Sequence, residues 1–219
     1  MTSCFPEKES ESDMTCLSSV ILIKEQCSVC ESSDIVPVIS LPNFPITGRF
    51  THTRPSFVPQ GVDQEFQMCL RCGHGQLKNH ISPDELYRSN YGFRTSRADS
   101  AMQGVKFFLE CLHTYTEGRR FRKVLDIGCN DLFLLEQMSQ SATSRVGIDP
   151  IWMEQESPAS SEIHVIGSYL EDIDLEVLSE MDPDLVVCRH VLEHVSDPGE
   201  ALRRVVHATA SDAVFFIEV

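Results

Sequence analysis

Two cysteine pairs, Cys27-Ser28-Val29-Cys30 and Cys69-Leu70-Arg71-Cys72, have the spacing of two turns that face a single tetrahedral ion. Gly73, directly after the second pair, suits the tight knuckle such a turn needs. Four sulfur ligands close the coordination shell of zinc, so a metal held by Cys27, Cys30, Cys69 and Cys72 is expected to be structural, with no position open for catalysis. The plainer reading is four buried thiols without a metal, and replacement of one cysteine ligand by His52 or His74 is a minor variant of the metal site.

A second kind of chemistry is written in Val124-Leu125-Asp126-Ile127-Gly128-Cys129-Asn130-Asp131. An apolar run ending in an acid and a glycine is the pattern of a buried strand that turns tightly beside a ligand, the next helix presenting its amides. About 20 residues further on, Arg145-Val146-Gly147-Ile148-Asp149-Pro150 repeats the theme, and an acid at that distance is placed to accept hydrogen bonds from a ribose diol. Asp126, Gly128, Cys129, Asn130 and Asp149 are therefore candidates to hold an adenosine-bearing cofactor. His190-Val191-Leu192-Glu193-His194 matches the H-x-x-E-H pattern of some zinc peptidases. That chemistry needs the pair in mid-helix, whereas here it follows the apolar run Leu185-Val186-Val187-Cys188 and is cut off by Ser196-Asp197-Pro198. His190 instead falls at the carboxyl end of a strand, where open α/β sheets place their ligands, and His194 reads as a packing or capping residue.

The elements that must position these residues fall into distinct stretches. Residues 1–19, rich in Ser, Thr and Glu without a period, read as a tail. Residues 20–80 are broken by Pro37, Pro42, Pro45, Pro55 and Pro59, with short strands expected near 35–40 and 65–68. So small a module needs a staple, and the cysteine pairs supply one. Residues 81–122 form a helical connector: one helix begins at Ser82-Pro83-Asp84-Glu85, and a longer one over 97–116 buries Val105, Phe108, Leu109 and Leu112. From 123 to 219 strands near 123–127, 145–149, 163–167, 184–188 and 213–218 alternate with helices near 131–140, 152–156, 173–180 and 198–209. The alternation predicts an α/β fold, a Rossmann-like parallel sheet preceded by a small zinc-binding module.

Composition narrows the partners. The formal net charge is −15, and all but four of the 18 basic residues precede Val124, so the acidic excess lies in the cofactor half. Such a surface repels a phosphate backbone, and residues 25–80 are near neutral, which opposes a zinc-ribbon nucleic-acid binder. Val20-Ile21-Leu22-Ile23 is far too short to span a bilayer and follows an acidic leader, so no membrane association and a cytoplasmic location are expected. An odd count of nine cysteines, four of them in metal-type pairs, also favours a reducing compartment.

The runs Leu-Asp-Ile-Gly-Cys-Asn-Asp, Gly-Ile-Asp-Pro and Cys-Arg-His-Val-Leu-Glu-His, in that order, resemble the S-adenosylmethionine-dependent sugar C-methyltransferases that carry an N-terminal zinc-binding domain. The resemblance covers roughly residues 25–219. It implies a class I methyltransferase fold, S-adenosylmethionine and structural zinc as cofactors, and a small-molecule substrate, a nucleotide-linked keto-deoxysugar methylated on carbon. Tyr91, in Asn90-Tyr91-Gly92-Phe93, resembles the Tyr-rich loop of that family, where a phenol orients or protonates the keto oxygen; the resemblance pairs it with His190 as catalytic residues. Two departures matter. The second glycine expected after Asn130-Asp131 is replaced by Leu132-Phe133, so a bulky side chain is expected to obstruct the cofactor turn. The family sheet also continues past a fifth strand, so a chain ending at Val219 is expected to have a truncated sheet, an edge open to association and weak catalysis alone. A zinc-stapled, catalytically impaired remnant that acts as a binding or scaffold protein is the competing reading.

Overall fold

The computed structural model describes residues 21–46, 61–87, 91–156 and 162–219. The tail expected over 1–19, His52, and the prolines at 55 and 59 lie outside the described residues. The first part is built of β1 (Ile21–Ile23), β2 (Ile35–Phe44), β3 (Val62–Cys69), β4 (Gly75–Leu77) and β5 (Asn79–Ile81). β2, β3 and β4 form a three-stranded antiparallel sheet, and β1 pairs with β5 in a separate antiparallel ribbon. β2 extends the strand expected near 35–40, and the β2–β3 register shifts twice, between Pro37 and Ile39 and between Leu41 and Phe44. Bulges of this kind let a strand keep pairing around residues that cannot donate to the ladder. Very little apolar surface is buried here. Among the described hydrophobic side chains between residues 21 and 87, only Cys27, Val62 and Cys69 are buried, while Leu22, Ile23, Val38 and Ile39 are more than half exposed.

A short helix α1 (Pro83–Tyr87) and a long one, α2 (Asp99–Tyr115), follow. α2 presents Val105, Phe108 and Leu112 inward, the stripe expected from the sequence. Phe108 lies between the Phe216 ring, 4.7 Å away, and the Arg189 guanidinium, 4.9 Å away, so the connector is packed directly on the sheet.

The second part alternates β6 (Phe121–Ile127), α3 (Phe133–Gln137), β7 (Ala142–Ile148), β8 (Ile163–Ile166), α4 (Leu175–Met181), β9 (Leu185–Arg189), α5 (Pro198–His207) and β10 (Val214–Glu218). The strands form one parallel sheet in the order β10-β9-β6-β7-β8. Its central strands are buried on both faces, Val124 to Ile127 and Leu185 to Cys188 without a break, because helices cover both sides. One face packs Val124, Leu185 and Val187 against α2 and α3; the other packs Leu125, Val186 and Cys188 against α4 and α5. The helix starts are set by side chains: Asp174 Oδ1 accepts from Glu176 N at 2.8 Å, and Asp197 Oδ1 accepts from Glu200 N at 2.8 Å, with Pro198 at the first position of α5.

The differences from expectation are local. The helix expected at 131–140 is confined to α3, since Leu132 ahead of it has left-handed backbone angles. The helix expected at 152–156 is a single 3-10 turn, Pro150–Trp152, opened by Asp149. Residues 192–194 are also a 3-10 turn, not a helix, so His190 and His194 do not project from successive turns of one helix as the peptidase chemistry requires. Among the described residues no helix is long and apolar enough to cross a membrane.

Candidate functional site

The four cysteines converge. Cys27 Sγ lies 3.6 Å from Cys72 Sγ and Cys30 Sγ lies 3.6 Å from Cys69 Sγ, and all four sulfurs fall within 4.8 Å of one another. A disulfide needs about 2.05 Å. A tetrahedron of sulfurs around zinc, with bonds of about 2.3 Å, has edges of about 3.8 Å, so the donor set fits zinc. The two knuckles are built alike. Glu31 N donates to Cys27 O at 2.9 Å and Gly73 N to Cys69 O at 2.8 Å, and Glu31 and Gly73 both have left-handed backbones, φ +59° and +78°. Gly73 was legible from the sequence; Glu31, a residue that tolerates that conformation poorly, was not. His74 gives its carbonyl to Cys69 N at 2.8 Å, and its ring is not among the grouped ligands.

The second site is a cleft of about 520 Å³ at the carboxyl ends of β6, β7 and β9. It sits where the strand order reverses, since β6 is flanked by β7 on one side and β9 on the other while the chain passes first to β7. All the candidate residues, Asp126, Gly128, Cys129, Asn130, Asp149, Tyr91 and His190, line it. Gly128 has φ +77°, and a Cβ there would stand 2.2 Å from Val191 Cγ2, so the turn admits glycine alone. The Cys129 side chain is buried, and a Cβ on Gly147 would stand 2.5 Å from its sulfur. Cys129 thus fills the gap that Gly147 leaves beneath the turn.

The amides of the turn are all engaged within the protein. Gly128 N and Cys129 N donate to Ile148 O at 2.8 and 3.2 Å, and Asn130 N to Asp149 Oδ2 at 2.9 Å. Asp131 N donates to Asn130 Oδ1 and Leu132 N to Cys129 O, each at 2.9 Å. The turn itself therefore offers no free amide over residues 128–132, and the helix that follows, α3, is only five residues long.

Two buried carboxylates dominate the electrostatics. Burial pushes the Asp126 carboxyl well above its ordinary value; the Asp149 charge adds to this and Arg189 opposes it. Burial also raises Asp149, against the amides of Ile151 and Asn130 and the charge of Arg94. A carboxyl with a raised folded-state pKa favours the fold most below its unfolded value, and that contribution is lost as pH rises through the folded one. At neutral pH the pair thus favours a ligand that brings hydrogen-bond donors or positive charge into the cleft.

The wall opposite the sheet is aromatic. Tyr91 stacks edge-on with Tyr87, centroids 5.3 Å apart, and Tyr87 lies 5.5 Å from the His194 ring. Burial, helped by the Asp149 charge, raises Tyr91, so its phenol stays a donor at neutral pH. Asn130, itself left-handed at φ +47°, fixes this wall: its Oδ1 accepts from Thr95 N at 3.2 Å and its Nδ2 donates to Phe93 O at 3.3 Å. His190 is left-handed too, φ +53°, and its amide donates to Glu218 O at 2.9 Å. Its ring is 58% exposed, with Nδ1 3.6 Å from Glu193 Oε1 and Nε2 3.9 Å from Glu218 Oε1. Sequence reasoning missed Tyr87, Arg189 and Glu218. Arg189 Nε donates to Glu218 Oε2 at 2.5 Å across paired strand ends; two charged residues that end apolar strands were the available signal.

Leu132 corrects the obstruction expected from the sequence. Its side chain is buried in the core, packed with Leu134, Leu135 and Met138, and does not line the cleft. What Leu132 costs is conformational, a left-handed φ of +69°. Leu132→Gly relieves about 1–2 kcal/mol of backbone strain but forfeits about 2–5 kcal/mol of packing. The variant is expected to be less stable by about 1–3 kcal/mol in urea unfolding, with unchanged affinity for a cleft ligand; tighter binding would restore the obstruction reading.

Comparison with known proteins adds two family matches. The model described as "Methyltransferase domain" matches residues 72–219, and that described as "Putative zinc binding domain" matches residues 27–87. The chain is 31% identical over 106 residues to the ubiquinone biosynthesis O-methyltransferase of Neisseria meningitidis serogroup C (strain 053442), a match covering 44% of this chain and 43% of that one. It is 25% identical over 201 residues to the C-methyltransferase NovU of Streptomyces niveus, covering 89% of this chain and 47% of that one. Among solved structures it is similar to the N-methyltransferase NodS of Bradyrhizobium japonicum WM9, at 17% identity and a TM-score of 0.39, over 48% of this chain and 56% of that one. The chain spans less than half the length of these two curated relatives.

Proposed function

Because the chain belongs to the methyltransferase domain family, we propose that its cleft binds S-adenosylmethionine and that it methylates a carbon of a nucleotide-linked keto-deoxysugar. The observation that carries the C-methylation reading is the extent of the NovU match, which runs through 89% of this chain, whereas the O-methyltransferase match covers 44%. The cofactor reading is supported by the engaged amides of residues 128–132. A dinucleotide needs free amides for its pyrophosphate, and S-adenosylmethionine, having no phosphate, does not.

When bound, S-adenosylmethionine supplies an electrophilic methyl on a cationic sulfur. Asp149 would hold the ribose, since Oδ2 accepts from the Asn130 amide and Oδ1 from the Ile151 amide, and each keeps a lone pair for a hydroxyl. Asp126, at the end of β6, would face the positively charged part of the cofactor. His190 would take the proton from the carbon beside the ketone, and Tyr91 would donate to the enolate oxygen that results. The zinc staples the N-terminal module and takes no part in the chemistry, and a reducing cytoplasm keeps its four thiols available to the metal.

Asp149→Ala is expected to weaken S-adenosylhomocysteine binding by about 1–3 kcal/mol in calorimetry, through the lost charged hydrogen bonds. Tighter binding of NAD than of either adenosyl ligand would overturn the cofactor assignment. The deciding experiment is transfer of labelled methyl from S-adenosylmethionine to nucleotide-linked keto-deoxysugars, with the methylated atom located by NMR. Transfer to a phenolic oxygen, with none to the sugars, would replace the C-methylation reading.

A further inference from the structure

The ribbon of β1 and β5 connects the cysteine module to the turn that walls the cleft. Leu22 pairs with His80 and Ile23 with Asn79, which puts Lys24, one residue past β1, on the same face of the ribbon as His80 and diagonal to it. Both reach Ser196. Lys24 Nζ donates to Ser196 O at 2.7 Å, and His80 Nε2 and Ser196 Oγ share a hydrogen bond of 2.7 Å. Ser196 is thus held by backbone and side chain at once, from residues more than a hundred positions away.

What Ser196 terminates is the inner wall of the cleft. His194 N donates to Val191 O at 2.8 Å and Val195 N to Leu192 O at 3.3 Å, so residues 191–195 form a closed turn. Its first residue, Val191, fills the space over Gly128, and His190 immediately precedes it. Beyond the same end of the ribbon, Gln76 ties the metal knuckle to β4: Ser28 N donates to Gln76 Oε1 and Gln76 Nε2 to Gln26 O, each at 2.9 Å. Lys24 N then donates to Lys78 O at 2.8 Å. A continuous set of hydrogen bonds therefore runs from the Cys27 knuckle to the turn beside the cofactor glycine.

We propose that Lys24 and His80 are positioning residues, through which the metal-stapled module holds the 191–196 turn, and with it His190 and one wall of the cleft, in its working place. The effect on ligand affinity rests on the cofactor reading above; the mechanical coupling does not. A segment of this length with only a single 3-10 turn of its own is held by such external contacts, and a loosened wall binds less well because the ligand must then order it.

The test uses the full chain loaded with zinc. In hydrogen exchange, His80→Ala and Lys24→Met are expected to speed amide exchange over residues 190–197 at least tenfold, while residues 62–77 stay protected and zinc stays at one per chain. His80→Gln, which keeps a nitrogen for Ser196, is expected to recover most of the protection. S-adenosylhomocysteine should bind His80→Ala about three- to tenfold more weakly than wild type. Unchanged exchange at 190–197 in both variants would overturn the proposal. So would faster exchange throughout the module with loss of zinc, which is general destabilisation. If wild type fails to bind S-adenosylhomocysteine while the variants still loosen the turn, the coupling stands and the cofactor reading falls.

Discussion

Protein purified under reducing conditions without chelator will carry one zinc per chain, and Cys69→Ser will lose both the metal and the order of the N-terminal module. The expectation follows from how little else holds that module together. Among the described residues between 21 and 87 the buried hydrophobic side chains are Cys27, Val62 and Cys69, and two of these belong to the four-cysteine cluster. Ordering each residue costs about 1.5 kcal/mol, which so small a buried surface cannot offset. A structural zinc contributes about 10–16 kcal/mol, enough to reverse the balance. The parallel sheet has its own two packed faces, so it should keep a cooperative unfolding transition in Cys69→Ser. Elemental analysis and exchange protection of residues 62–77 check this. Metal-free protein with a fully protected module would show that the four thiols are held by packing alone.

The readability of the chain follows from how local each signal is. The strands of the parallel sheet are continuous apolar runs because both faces are covered, so Val124 to Ile127 and Leu185 to Cys188 stood out without any partner being known. The cysteine pairs were legible because a metal turn fixes a two-residue spacing. The backbone at the cleft was harder to read. Asn130, Leu132 and His190 all take left-handed angles that their side chains do not announce, and the long-range contacts of the site override local preference there. At Leu132 the sequence suggests a glycine for its missing side chain, whereas the constraint that acts there is on φ. Tyr87 and Glu218 come from α1 and β10, elements remote from the glycine turn, and only the folded chain brings them to one cleft.

His190→Ala is expected to lower turnover by about 10²- to 10⁴-fold, the range for loss of a positioned general base, while S-adenosylhomocysteine affinity changes less than about twofold. His190 stands at the end of β9 with its ring in the cleft, and the Glu193 and Glu218 carboxylates flank it at 3.6 and 3.9 Å. Its left-handed backbone costs about 1–2 kcal/mol, strain of the kind that clusters at functional sites. His190→Gly separates the two effects, because it removes the ring and relieves the strain together. It should be at least as stable as wild type in urea and as inactive as His190→Ala. Tyr91→Phe, which removes one donor to the enolate oxygen, should cost about 10²- to 10³-fold in kcat with little change in cofactor affinity. Single-turnover assays with the sugar substrate read these differences directly. Full turnover by His190→Ala would move the base to another residue of the cleft, His194 first, since it lies one turn away against Tyr87. Equal losses of turnover and cofactor affinity would instead make His190 a binding residue, and the proton would have to leave by another route.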